Sequence, residues 1–285
     1  MPPPSTIRQQ TMLNTQLDES EIIIGDVSVV LPKLASQTFR CCVTSPPYWG
    51  LRDYDVEGQI GAEEDLASYV DRLVKVFREV RRTLTDDGTL WLNIGDSYTS
   101  GNRRWRATDR KNPARAMSYR PPTPDGLKPK DLVGVPWRIA FALQDDGWYL
   151  RSDIIWHKPN AQPESVKDRP TRAHEYLFLL SKSEQYYYDH LAVQERTLDD
   201  EGRRNRRTVW SINTEAYPEA HFATFPSSLV DPCVLAGSES GDVVLDPFFG
   251  SGTVGSVCLN RTRRFVGIEL NPEYVEIAER RLGWR

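Results

Sequence analysis

The sequence predicts an α/β fold built on a doubly wound, mostly parallel β-sheet. Three observations carry this prediction. Short apolar runs alternate with segments of helical periodicity, a Ser-Pro-Pro turn follows one apolar run near residue 45, and a glycine-rich turn follows another near residue 250. Strands that alternate with helices favour a parallel sheet covered on both faces. Ligands of such sheets bind beyond the carboxyl ends of the strands, at the switch in strand order. We therefore expect the strands that end near residues 43 and 246 to be neighbours.

The apolar spacing places the elements along the chain. Short apolar runs predict strands at 22–24, 39–43, 90–94, 148–156, 176–181, 242–246 and 264–268. Helical spacing predicts helices at 27–34, 66–84, 131–143 and from residue 253 onward. Pro136 favours a break in the third of these helices. Residues 185–220 are polar and lack a period, so we expect irregular structure there, with the three tyrosines at 186–188 at a half-buried strand end.

Length and composition favour one soluble domain. The chain has 285 residues, 27% of them charged, and a mean hydropathy of −0.54, so it can bury a full core. It has no apolar run near the roughly 20 residues that a membrane helix needs, and its first residues lack the pattern of a secretory signal. We expect a disordered tail at 1–20, a single domain at 21–285 with inserts at 97–130 and 160–215, and a cytoplasmic location.

The residues that most often bind metals do not form a metal-binding pattern. The four cysteines, mostly in apolar contexts that predict buried reduced thiols, are Cys41, Cys42, Cys233 and Cys258. A structural role is expected for His174 and Glu175, because no second histidine follows at the spacing of a zinc pair. His157, beside Lys158, either faces a ligand pocket or lies on the surface. We expect no metal site.

The charge is unevenly distributed. The net charge of −4 does not indicate a nucleic-acid ligand, but residues 103–120 carry seven basic residues against one acidic residue, with aromatic residues between them. A second arginine run lies at 203–207. Such patches can follow phosphates and stack on bases, or they are solvated loop residues. The candidates for contact with nucleic acid are Arg103, Arg104, Arg106, Arg203, Arg204, Arg206 and Arg207.

The Ser-Pro-Pro-Tyr turn is suited to hold a planar amino group. The exocyclic amine of a nucleobase is a poor nucleophile, because its lone pair is delocalised into the ring. The hydroxyl of Ser45 and the carbonyl of Pro46 can each accept one amino hydrogen, and the prolines add no competing N–H donor. The two acceptors would localise the lone pair while Tyr48 stacks on the base. The candidate catalytic residues are Ser45, Pro46, Pro47 and Tyr48. A plain proline turn after a strand is the alternative.

The glycine-rich turn has the features of a nucleoside-cofactor site. The apolar run at 242–246 leads into this turn, and a helix begins near Thr253. Gly250 and Gly252 allow the backbone to approach a ligand closely, and the helix amino terminus favours a negative group. Roughly 20 residues later a second strand ends at Glu269, where an acidic residue typically binds the ribose hydroxyls. The spacing does not separate a dinucleotide from S-adenosylmethionine.

Together these motifs resemble the S-adenosylmethionine-dependent DNA amino-methyltransferases in their β arrangement, in which the catalytic motif precedes the cofactor motif. The matching segments are 22–26, 44–48, 88–96, 153–160, 221–226 and 246–253. The resemblance implies a Rossmann-like methyltransferase fold with a circularly rearranged motif order, S-adenosylmethionine as cofactor, and methyl transfer to a base flipped out of double-stranded DNA. It implies that the inserts contact the DNA. The cofactor-binding residues that it implies are Asp26, Thr44, Phe225, Asp246, Pro247, Phe248, Gly250, Ser251, Gly252, Thr253 and Glu269.

The resemblance leaves alternatives open. In this family Ser-Pro-Pro-Tyr is more often associated with N4 of cytosine and Asp-Pro-Pro-Tyr with N6 of adenine, so we favour cytosine and keep adenine as the alternative. A nicotinamide oxidoreductase would leave the turn at 44–48 and the arginine runs unexplained. A catalytically silent DNA-binding protein is a more distant alternative, and an enzyme of the same chemistry that acts on RNA or on protein amides is another. A cognate restriction endonuclease and either a monomer or a homodimer are compatible with the sequence.

Overall fold

A computed structural model describes residues 19–51, 56–100, 121–197, 202–215 and 225–285. The strands are β1 (Glu21–Ile24), β2 (Phe39–Thr44), β3 (Leu84–Ile94), β4 (Tyr149–His157), β5 (His174–Ser181), β6 (Glu195–Arg196), β7 (Arg203–Arg204), β8 (Val209–Ser211), β9 (Val243–Asp246) and β10 (Arg264–Glu269). The helices are α1 (Val27–Val30), α2 (Leu66–Thr83), α3 (Val135–Asp145), α4 (Ser227–Gly237), α5 (Thr253–Asn260) and α6 (Pro272–Leu282). A 3₁₀ turn at Leu31–Lys33 follows α1. The tail predicted at 1–20 lies outside the described residues except for its last two.

Within the described residues, eight strands form one sheet in the order β1-β10-β9-β2-β3-β5-β4-β8. All neighbours run parallel except β3–β5 and β4–β5. The prediction of a doubly wound, mostly parallel α/β sheet is confirmed. So is the predicted adjacency at its centre, because β2 pairs with β9 through Cys42 and Leu245.

Two apolar layers cover the two faces of the sheet. The first three helices, α1 to α3, pack on one face, and α4 to α6 pack on the other. The long helix α2 packs on the sheet through an apolar face, because Leu73, Phe77 and Val80 follow helical spacing and are fully buried. All four cysteines lie in these layers as free thiols, as predicted. Burial raises their pKa, to about 12 for Cys41, so the thiols are protonated.

Two predicted element boundaries were wrong. Helix α3 begins at Val135 and not at residue 131, because Gly134 adopts the left-handed conformation before it (φ 77°). Pro136 then stands in the first turn, where its missing N–H costs nothing, so it starts this helix and does not break it. Strand β3 begins at Leu84, well before residue 90. It pairs first with Phe39 and resumes regular pairing after an irregularity.

The region predicted as irregular, 185–220, contains more structure than expected. Strands β6 and β7 pair with each other, and β8 joins the main sheet beside β4. The three tyrosines at 186–188 lie outside any strand, contrary to the prediction, although they are half-buried. No helix in the described part of the chain combines the length and apolar character needed to cross a membrane.

Candidate active site

The Ser-Pro-Pro-Tyr turn and the glycine-rich turn lie side by side at the carboxyl edge of the sheet. Strand β2 ends at Thr44 and leads into the Ser-Pro-Pro-Tyr turn, and β9 ends at Asp246 and leads into the glycine-rich turn. The Thr44 hydroxyl donates a hydrogen bond of 2.7 Å to Asp246 Oδ1. Both side chains are almost completely buried. This hydrogen bond joins two residues that lie 202 positions apart in the sequence.

The carboxylate of Glu269 organises the glycine-rich turn. It accepts hydrogen bonds of 2.8 Å from the backbone N–H groups of Gly250 and Asn271. Gly250 and Gly252 both have the positive φ that favours glycine, at 52° and 78°. Burial raises the pKa of Glu269, and the backbone N–H donors oppose that effect. An acid at the end of β10 is thus held against the turn that precedes α5.

Asp246 is a buried acid with an altered charge state. Desolvation raises its pKa to about 7, although the Thr44 hydroxyl and the Phe248 N–H both favour the ionised form. Its second oxygen, Oδ2, has no hydrogen-bond partner among the described residues. The carboxyl group therefore titrates close to neutral pH.

A cavity of about 260 Å³ lies where the two turns meet. The predicted residues in its wall are Asp26, Ser45, Pro46, Pro47, Tyr48, Phe225, Pro247, Phe248, Gly250, Ser251, Thr253 and Glu269. Thr44, Asp246 and Gly252 are buried behind this wall and shape it without lining it. The structure thus brings both predicted residue sets to one cavity.

Asp26 also has a local role at the start of α1. Its Oδ1 accepts hydrogen bonds from the backbone N–H and the hydroxyl of Ser28, at 2.8 and 2.7 Å. These bonds cap the helix and fix the carboxylate at the cavity wall.

Tyr48 lines the cavity, and contacts with its hydroxyl and its ring fix its position. Its hydroxyl donates to Glu175 Oε2 at 2.9 Å and lies 3.3 Å from Asn93 Oδ1. Ser45 Oγ lies 3.4 Å from the same hydroxyl. The ring packs against Gly95 so closely that a Cβ at that position would lie 2.7 Å from Tyr48 Cε2. One edge of the Tyr48 ring therefore packs against the backbone at Gly95. Tyr48 also lines the cavity.

The residues that line this cavity outside the predicted catalytic and cofactor-binding sets include Asn93, Trp156, Lys158 and Glu175. Glu175, which was expected to be structural, also lines this cavity. Lys158 forms an ion pair with Glu175 Oε1 and lies 4.1 Å from the Trp156 ring centroid. His157 points elsewhere, since its Nδ1 lies 3.0 Å from Ser211 Oγ. The available signal was the two-residue spacing of Trp156, near the end of β4, and Lys158, the first residue after it, because extended backbone places such positions on one face.

The sequence and the fold of this chain have counterparts in known proteins. A family model described as DNA methylase, N6_N4_Mtase, matches residues 39–280. The chain belongs to this DNA methylase family. It is 64% identical over 267 residues to the Type II methyltransferase M.Cfr9I of Citrobacter freundii, a match that covers 94% of this chain and 89% of the relative.

Solved structures of DNA methylases share the fold. The chain is similar to PvuII DNA methyltransferase (cytosine-N4-specific), with 22% identity and a TM-score of 0.69 over 92% of this chain and 86% of that chain. It is also similar to a putative DNA modification methylase of Thermus thermophilus complexed with S-adenosyl-L-methionine, with 27% identity and a TM-score of 0.62 over 92% and 94% of the two chains. The protein is a DNA methyltransferase that uses S-adenosylmethionine.

The cavity of the DNA methylase fits this cofactor. The positive-φ glycines keep side chains out of the turn, and the Glu269 carboxylate lies at the cavity wall, where ribose hydroxyls can donate to it. Aromatic and apolar groups of Phe225, Phe248 and Ile268 offer a surface for a planar base. We find no cluster of metal-binding side chains within the described ranges.

The two arginine runs of the DNA methylase differ in what the structure shows of them. Arg103, Arg104 and Arg106 lie outside the described residues. In the second run, Glu195 pairs with both Arg204 and Arg207, at 2.9 and 2.7 Å. The Arg206 guanidinium stacks on Trp210, 4.3 Å from the ring centroid. Three of these four arginines thus have partners within the protein, which the sequence did not reveal, and Arg203 is exposed.

Proposed function

We propose that the enzyme methylates N4 of a cytosine that is flipped out of double-stranded DNA. The observation that carries this proposal is the single cavity lined by both the Ser-Pro-Pro-Tyr turn and the glycine-rich turn. A base inside a duplex is stacked, so its amine reaches such a cavity only after flipping. The cavity then holds the methyl donor and the acceptor amine next to each other.

Residues of the catalytic turn prepare the amine. Ser45 Oγ and the Pro46 carbonyl accept its two hydrogens, which favours a tetrahedral nitrogen with a localised lone pair. Tyr69 supports this geometry, because its hydroxyl donates to the Pro47 carbonyl at 2.8 Å. Tyr48, fixed by Glu175, stacks on the base. The proton leaves after methyl transfer, when the nitrogen is cationic and acidic.

The cofactor end of the cavity positions the methyl donor. Glu269 binds the ribose hydroxyls, the turn at 246–253 surrounds the amino-acid part, and Asp26 contacts the adenine. When bound, S-adenosylmethionine would supply a methyl group on a sulfonium, and the neutral thioether formed when the methyl–sulfur bond breaks is a good leaving group. The protein contributes position and electrostatics without a covalent intermediate.

Cytosine is favoured over adenine by the serine at position 45, on the family resemblance described above. The same two acceptors serve N6 of adenine, so adenine remains the alternative target. A silent DNA-binding protein is disfavoured, because Ser45, Tyr48 and the glycine-rich turn line one cavity. The name of the relative M.Cfr9I, a Type II methyltransferase, supports a cognate restriction endonuclease as functional partner. We place this activity in the cytoplasm.

The test is a methylation assay on unmethylated duplex DNA of varied sequence, with nucleosides analysed by mass spectrometry. We expect N4-methylcytosine from the wild type and a loss of at least about 100-fold in rate for Ser45→Ala and Tyr48→Ala, since positioning and electrostatic groups typically contribute about that much. Ser240→Ala and Tyr149→Ala, both at exposed positions, are the matched controls. N6-methyladenine would correct the target base, and the absence of any methylated nucleoside despite cofactor binding would reject the proposal.

A further inference from the structure

A lysine and a glutamate form an ion pair in the wall of the cavity, next to the Ser-Pro-Pro-Tyr turn. Glu175 lies in β5 directly across from Trp156 of β4. Lys158 follows two positions after Trp156, so all three side chains share one face of this strand pair. All three line the cavity. The ammonium group of Lys158 contacts Glu175 Oε1 and the Trp156 ring.

This ion pair is poorly suited to stabilise the fold. The side chains of Lys158 and Glu175 are only 17% and 18% exposed. Removing two charges from water costs about as much as their attraction returns, so apolar residues of similar size often serve stability equally well. A largely buried pair in the wall of a ligand cavity therefore indicates a role toward the ligand.

The hydrogen bonds of the pair leave Lys158 more available to a ligand than Glu175. Glu175 is occupied from within the protein, since Oε1 contacts Lys158 and Oε2 accepts from the Tyr48 hydroxyl. Lys158 has three N–H donors, and Glu175 accepts one of them. The pair thus presents donors to the cavity, whereas the turn with Ser45 presents acceptors.

We propose that Lys158 donates a hydrogen bond to the acceptor edge of the flipped cytosine, formed by N3 and O2, and that Glu175 positions Lys158 for this contact. This inference rests on the proposed function. Cytosine carries a donor, its N4 amine, beside two acceptors, and the cavity offers acceptors at Ser45 and donors at Lys158. On the same side of its amine, adenine has the acceptor N1 but a C2–H where cytosine has its carbonyl. A Lys158 contact that reaches O2 therefore selects cytosine over adenine as well as holding the base.

The test combines a variant with base analogues in the same duplex. The recognition sequence is first mapped from the methylated sites in treated genomic DNA. The target position then holds cytosine, 3-deazacytosine, which lacks the N3 acceptor, or 2-thiocytosine, whose sulfur is a weak acceptor. For Lys158→Met we expect kcat/KM on cytosine to fall about 10- to 100-fold, the range for a hydrogen bond from a charged donor. The loss should be at least about threefold smaller on one of the two analogues, because that analogue already lacks part of the contact.

Controls separate this contact from a structural effect. Lys182 is ion-paired and equally buried, at 16% exposed, but lies outside the cavity. Lys182→Met should therefore leave kcat/KM unchanged or lower it by the same factor on all three bases. Cofactor affinity by calorimetry should be unchanged in Lys158→Met. If that variant does not fold, Lys158→Gln, which keeps a neutral donor, replaces it with a smaller expected loss.

The outcomes distinguish the two proposals. Equal losses for Lys158→Met on all three bases would overturn the role of Lys158 and leave the cytosine methyltransferase intact. Wild-type formation of N6-methyladenine, or of no methylated base, would overturn the proposed function and this inference with it. A smaller loss on either analogue supports the contact.

Discussion

Thr44 and Asp246 are joined by a buried hydrogen bond of 2.7 Å that connects the strand leading into the catalytic turn with the strand leading into the glycine-rich turn. The two residues end adjacent parallel strands. The bond therefore sets the distance between the Ser-Pro-Pro-Tyr turn and the glycine-rich turn, which in the proposed function hold the acceptor amine and the methyl donor. Loss of either partner should loosen that spacing.

Thr44→Val removes the hydroxyl at nearly constant volume. Asp246 Oδ1 then keeps only the Phe248 N–H as a donor. We expect the free energy of unfolding to fall by about 1–3 kcal/mol, the cost of leaving a buried polar group poorly satisfied. Urea unfolding measures this change, with Thr208→Val at an exposed position as control. Equal stability of the two variants would contradict this account.

The pKa of Asp246 predicts a pH-dependent stability. An unfolded aspartate loses its proton near pH 3.8, whereas the folded protein keeps the proton up to about pH 7. The stability contribution of this group therefore falls as the pH rises from about 4 to 7 and is constant above that. Relative to Asp246→Asn, the wild type should lose about 3 kcal/mol between about pH 5 and pH 8.

Urea unfolding at several pH values checks this expectation. Asp125→Asn, at an exposed position, should follow the wild type over the same range. Parallel stability curves for the wild type and Asp246→Asn would show that the carboxyl group does not titrate in this window.

Gly95→Ala should disturb the catalytic end of the cavity. The new Cβ would lie 2.7 Å from the Tyr48 ring, so the ring or the strand end must shift. We expect kcat to fall about 10-fold or more, since small misplacements near a reacting group are costly, with little change in cofactor affinity. Gly202→Ala is the control, because its Cβ would find ordinary contact distances. Wild-type kcat in Gly95→Ala would argue against a fixed Tyr48.

Glu269→Gln should weaken cofactor binding. The carboxylate accepts from two backbone N–H groups with its two oxygens, and a glutamine can offer an oxygen to only one of them. We expect the Kd for S-adenosylmethionine to rise about 10-fold or more, since a hydrogen bond to a charged group contributes about 1.5–3 kcal/mol. Isothermal titration calorimetry measures this, with exposed Glu273→Gln as control. An unchanged Kd would remove Glu269 from the cofactor site.

Local sequence patterns were sufficient for the fold class and for both turns. Apolar runs such as 242–246 lead directly into prolines or glycines, and these residues restrict the backbone whatever surrounds them. The parallel sheet rule then placed the ends of β2 and β9 together. The fold class and the meeting of the two turns therefore required no knowledge of tertiary contacts.

The other wall of the cavity required such knowledge. Glu175 reaches Tyr48 only because β5 runs antiparallel to β3 and brings its amino end to the same edge. No local sequence pattern indicates that strand pairing, so the contact between Glu175 and Tyr48 could not be predicted. The internal partners of the second arginine run also depend on tertiary contacts. Glu195 precedes Arg204 and Arg207 by 9 and 12 positions and meets them through the β6–β7 pair.

Because Thr44 and Asp246 lie far apart in the sequence, their contact forms only late in translation. At about 5–20 residues per second, Asp246 leaves the ribosome about 10–40 s after Thr44. During that interval β2 has β3 on one side and an unpaired edge on the other, which is a site for wrong pairing or aggregation. A truncated chain that ends before β9 would carry the whole Ser-Pro-Pro-Tyr turn yet lack the strand against which it is held. The complete cavity therefore forms only after the residues from β9 onward have been translated.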